Sequence, residues 1–99
     1  MNGHRRSALK SKRLPFVQWI GPFRISVVQC SPGKLAEALD EEETPFEERS
    51  PGWWVVEDWT IYIDRTLAWR EKWETFAHEM AHAAIDLARM SGWKIDPAN

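Results

Sequence analysis

The sequence predicts an α+β fold: a small antiparallel or mixed sheet packed on one long C-terminal helix. Two stretches, FRISVVQC and GWWVVEDWTIYID, are rich in β-branched and aromatic residues, which favour strands. From about residue 67 to 91, apolar side chains recur at helical spacing with no Gly or Pro inside. Clusters of Gly, Pro and Ser separate these segments. With 99 residues the chain makes one domain with one modest core.

Residues 1–13 form a basic arm carrying Arg5, Arg6, Lys10, Lys12 and Arg13 and no acid, and residues 14–99 form the domain. Such an arm offers a contact to nucleic acid or to acidic protein surfaces. The run of seven acids between Glu37 and Glu48 offsets it, as does the net charge of −2, so nucleic acid is the weaker class of partner. No apolar segment follows the arm, as a secretory signal requires. No stretch approaches the roughly 20 apolar residues of a membrane span. The single cysteine, Cys30, excludes an internal disulfide and suits a reducing compartment. Seven tryptophans are many for this length and read as core filling with some exposed anchor surface.

Gly21-Pro22 signals a turn, after which strand residues run over 23–30 and stop at Ser31-Pro32-Gly33. KLAEALDEEE has helical spacing, with Ser31 or Pro32 at its start. Two further strands, near 53–57 and 59–64, flank Glu57-Asp58 as a hairpin. In the second, Trp59, Ile61 and Ile63 share one face and Thr60, Tyr62 and Asp64 the other. The helix, about 67–91, closes at Ser91-Gly92 with Gly92 as the residue after the cap. Trp69, Trp73, Phe76, Met80, Ala84 and Leu87 align as its core stripe, with the histidines roughly opposite.

Within that helix stands ETFAHEMAHAAID. His78 and His82 are four apart, one turn above each other on one face, so two imidazoles can converge on one Zn²⁺ ion. Glu79 lies about 100° round the helix, off the metal edge but placed to hold a water. In this division of labour the metal acidifies the water and polarises an amide carbonyl, and Glu79 takes and returns the proton as general base.

The run WTIYIDRTLAWREKWETFAHEMAHAAID resembles the small H-E-x-x-H metallopeptidases encoded by phages and prophages, the minimal gluzincin-like zincins. The matching positions are Ile61, Ile63 and Asp64, then Thr75, His78, Glu79, His82 and Ala83. The resemblance implies a zincin-like core and an edge strand that pairs with an extended peptide or protein substrate. WTIYID is the candidate edge, with Thr60 and Tyr62 on the substrate side. It also implies a place in a bacterial host cytoplasm or a phage virion, with phage structural proteins or a second copy of the chain as partners.

Members of that group take the third zinc ligand from a downstream glutamate, and Glu79 is the last glutamate here. The H-E-x-x-H-x-x-G-x-x-H alternative also fails, with Ile85 and Ala88 at its last two positions. Asp86 lies about 12 Å from His78 along a straight helix and about 80° round it, which suits an outer acid around the site better than a ligand. Asp96 is the candidate third ligand. A chain reversing after Gly92 covers about 13 Å toward a metal about 18 Å back, and the carboxylate side chain narrows the gap. His4, Asp64, Cys30 or a group from a second subunit stay open. The reading that follows is a zinc-dependent metallopeptidase-like hydrolase. Its alternative is an inactive zincin-fold structural or interaction protein of a phage particle.

Overall fold

The computed structural model of the chain describes residues 13–92. Gly21-Pro22 is a two-residue connection between β1 (Val17–Ile20) and β2 (Phe23–Cys30), which pair antiparallel. Gly21 has φ +58°, and Pro22 cannot take a positive φ, so of the tight hairpin turns only type II′ fits. Such a turn sends the chain straight back along itself. The turn is therefore as expected, and β1 is an additional strand that the sequence reading did not assign.

After β2, the Ser31 hydroxyl accepts from the Lys34 amide at 3.2 Å and caps helix α1 (Pro32–Ala38). A surface loop with one 3₁₀ turn (Phe46–Glu48) leads to β3 (Gly52–Val55). Residues 56–59 turn the chain into β4 (Thr60–Asp64), so the expected hairpin forms with slightly shorter strands. Trp59 closes that turn at φ +48°, an unusual conformation for a bulky residue. Its ring is held edge-on against Phe23 at 5.1 Å, and its carbonyl accepts from the Ser26 amide at 3.0 Å.

The sheet order is β1-β2-β4-β3, with β2 and β4 parallel and the other pairs antiparallel. The fold is thus α+β with a mixed sheet, as the sequence predicts. One expectation is corrected: β4, the strand of Thr60 and Tyr62, is paired on both sides and cannot accept an added strand. The outer strand beside the long helix is β3. Residue alternation reports the two faces of a strand but not its place in the sheet, and the β2–β4 pairing that encloses β4 is made across a long crossover.

Helix α2 (Trp69–Met90) ends as expected, with Gly92 at φ +88°. It covers the face of the sheet that carries Ile25, Val27, Trp54, Ile61 and Ile63, and adds Phe76, Ala83 and Leu87 to one buried cluster. Its buried side keeps most of the expected stripe, with Phe76 and Leu87 in the core and Trp73 and Met80 packed against it, but is shifted round the helix. Ala84 is exposed and Trp69 is 47% exposed, whereas Thr75, Glu79 and Ala83 are buried. The helix is rolled by roughly 60° from the apolar stripe toward Glu79, counting ~100° per residue. The histidines therefore flank the buried side instead of lying opposite it.

Gly52 accounts for the roll. A Cβ there would stand 2.5 Å from Thr75 Cγ2, 3.1 Å from the Tyr62 carbonyl oxygen and 3.4 Å from Glu79 Cγ. Only a residue without a side chain lets β3 and the helix meet this closely. The opposite face of the sheet is roofed in part by α1 and leaves Trp19 57% exposed. Among the described residues no helix is long and apolar enough to cross a membrane.

Candidate metal centre and general base

The middle of α2 holds the three residues singled out by the motif. His78 and His82 are exposed, their rings 4.7 Å apart and nearly perpendicular at 78°. Their Nε2 atoms approach to 3.1 Å. Two nitrogens each ~2.0–2.1 Å from a tetrahedral ion stand about 3.3 Å apart. The pair thus has nearly the spacing of two ligands sharing one ion. In the protein without metal, the same approach is a hydrogen bond from one ring to the other, with the donor set by the tautomers.

Glu79 is the unusual member. Only 9% of its surface is exposed, yet its carboxylate has no hydrogen bond or ion pair among the described residues. Its oxygens still touch solvent. With His78, Thr75 and Glu74 it forms one wall of a cleft of about 390 Å³, whose other wall is Ser50-Pro51-Gly52 at the start of β3. The side chain is thus largely covered while its carboxylate oxygens stay open to solvent, which sets Glu79 apart from an ordinary helix glutamate.

The wall opposite the motif is held by the acidic loop. One Glu41 carboxylate oxygen accepts from the Ser50 amide at 2.8 Å and the other from its hydroxyl at 2.7 Å. These bonds draw the Glu41 carboxyl below its ordinary pKa, the hydroxyl bond most strongly. Arg49 donates to the carbonyls of Glu42 at 2.8 Å and Thr44 at 3.0 Å. The acidic run thus fastens Ser50-Pro51 beside the helix.

The remaining candidates separate clearly. Asp86 accepts from the Trp54 indole at 2.8 Å and so ties the helix to β3, one turn beyond His82. Asp64 is buried, and its Oδ1 accepts from the amide and hydroxyl of Thr66 at 2.8 and 2.7 Å. Cys30 lies in register with Asp64 on the sheet face away from α2, in a groove with Leu35, Trp53 and Tyr62. Burial first, and then the charge of Asp64, raises its thiol pKa above 9.0, which disfavours a thiolate ligand. Asp96 and His4 lie outside the described residues, as does the basic arm up to residue 12. Among the described residues no group of three or more His, Cys, Asp or Glu side chains is placed to hold a metal. The donor chemistry here fits two ligand positions and one general base.

Sequence reasoning missed the contribution of β3: Gly52 against Thr75 and Glu79, Trp54 on Asp86, and Ser50-Pro51 as the cleft wall. A glycine opening an otherwise bulky strand was the available signal for close backbone approach. Compared with known proteins, the chain matches no family model, no curated protein and no solved structure.

Proposed function

We propose that this protein is a zinc-dependent metallopeptidase of the zincin type, akin to the small phage-encoded enzymes its motif resembles. His78 and His82 would hold Zn²⁺ through Nε2, and Asp96, outside the described residues, is the sequence's candidate for the third ligand. The observation that carries the reading is Glu79, nine-tenths buried and with no partner among the described residues, in a cleft beside two converging imidazoles. When bound, Zn²⁺ lowers the pKa of water toward ~7 and polarises a carbonyl.

The chain's own residues do the rest. A peptide lies in the cleft between Ser50-Pro51-Gly52 and the helix. Glu79 orients a water at its free carboxylate oxygens, takes its proton and delivers that proton to the leaving amine nitrogen.

Protein purified without chelator is expected to carry about one zinc per chain. Glu79→Gln is expected to retain the metal and lose peptide cleavage by ~10²–10⁴-fold. His78→Ala is expected to lose both. A metal-free protein whose melting is unmoved by added Zn²⁺ would falsify the proposal, and an interaction protein that keeps the fold would take its place.

A further inference from the structure

We infer that the zinc on His78 and His82 is shared with a second copy of this chain, whose own two histidines complete its shell. The inference rests on the zinc-binding part of the reading above and adds a partner and a resting state to it. Both imidazoles are exposed, and their Nε2 atoms, 3.1 Å apart, make one edge of a tetrahedron. Among the described residues no further His, Cys, Asp or Glu joins them in a metal-holding group. A second such edge, brought in by a two-fold axis, closes the tetrahedron with nitrogen alone.

The exposed face of α2 is complementary to itself. His78 and His82 are equally spaced about Met80, and so, farther out, are Glu71 and Arg89. Glu71 and Arg89 lie about five turns apart, which puts both on the azimuth midway between the two imidazoles. A two-fold axis at the level of Met80 runs two such helices antiparallel. It sets each His78 beside His82 of the partner subunit and each Glu71 beside Arg89 of the partner subunit. Arg89 is exposed and has no ion pair among the described residues. Glu71 is also exposed and uses only Oε1, toward the Ala68 amide. On the side of the histidines away from Glu79 stand Ala77, Ala81 and Ile85, all exposed, with Ile85 at 38%. The alanines let a second helix come close, and the isoleucine gives it apolar surface to cover. One helix face falls short of the area a stable dimer needs, so the shared ion has to hold the pair together. Zinc with four protein ligands keeps no open position for water. The pair is therefore the resting form, and cleavage belongs to the single chain holding its own ion.

The test titrates Zn²⁺ into the metal-free full chain and follows mass by sedimentation. Mass is expected to double at about one zinc per two chains. It is expected to return to that of a single chain when excess zinc, at dilute chain, gives every histidine pair its own ion. EDTA is expected to separate the pair. Ala81→Arg, an exposed change that blocks a second helix, is expected to bind zinc and keep its melting temperature but stay single. Arg89→Ala is expected to weaken pairing about fivefold at low salt, through the loss of the paired exposed charges. Single chains at every zinc ratio overturn the inference, as does a pair that survives EDTA or Ala81→Arg. Peptide cleavage separates the two readings. Zinc-bound chains that cleave peptide without ever pairing remove the shared site alone. Chains that pair on zinc but show no cleavage at excess zinc remove the peptidase reading and leave the pair.

Discussion

Two buried carboxylates bracket the first half of the long helix, and the chain treats them in opposite ways. Asp64, 7% exposed at the end of β4, accepts two hydrogen bonds from Thr66 and shapes the turn that leads into α2. Glu79, 9% exposed in the middle of α2, has none among the described residues. The contrast teaches that satisfying a buried acid is within easy reach of this fold, since one threonine two residues along suffices. At similar burial Glu79 keeps its oxygens open to solvent and is available to a water or ligand, whereas Asp64 is spent on the turn.

The largest expected effect comes from exchanging the two acids' fates. Asp64→Ala removes the one oxygen that accepts both bonds and leaves the Thr66 amide and hydroxyl without it, so urea unfolding should show a loss of ~1–3 kcal/mol with zinc content unchanged. Glu79→Gln removes an unpartnered charge, so its unfolding midpoint should equal or exceed that of the parent. Equal losses in the two variants would dissolve the comparison.

Next is the close approach that buries Glu79. Gly52→Ala sets a methyl group against Thr75 and Glu79 and should cost ~1–3 kcal/mol by overpacking. Because it pushes β3 off the helix at the cleft, peptide cleavage should fall more than zinc content does. A variant with full cleavage would show that the wall position is irrelevant to the site.

The smallest effect sharpens the comparison from the loop side. Glu41 is a surface acid whose pKa is lowered in the folded chain by its two bonds to Ser50. A lowered folded pKa means that its contribution is present above the ordinary carboxylate range and is lost as pH falls through the folded value. Relative to its intrinsic rate, which itself slows in acid, the Ser50 amide should therefore lose protection below the ordinary carboxylate range. Glu41→Gln should exchange fast at neutral pH as well. Exchange that ignores both acid and the substitution would remove Glu41 as the fastening of the cleft wall.

Much of this molecule can be read along the chain because the deciding interactions are local. Gly21-Pro22 dictates a hairpin turn, Ser31 caps the helix three residues on, and Gly92 closes α2 by its positive φ. The spacing of His78 and His82 alone brings their Nε2 atoms to 3.1 Å, since i and i+4 on any α-helix are neighbours. The resemblance found in WTIYID to AHAAID drew on the same local order.

What needed the tertiary structure was every choice between faces and edges. Periodicity put the core on the apolar stripe, but Gly52 let the helix roll until Glu79 was buried. Alternation could not tell that parallel pairing with β2 places Thr60 and Tyr62 inside the sheet and leaves β3 as the outer strand. Nor does any local rule bring Ser50 to Glu41 or Trp54 to Asp86, bonds between residues 9 and 32 apart in sequence. The amino-acid order by itself determined the two imidazoles and the glutamate between them. Long-range packing decided that this glutamate is buried and walled by a cleft, because burial is a property of what the rest of the chain brings against a residue.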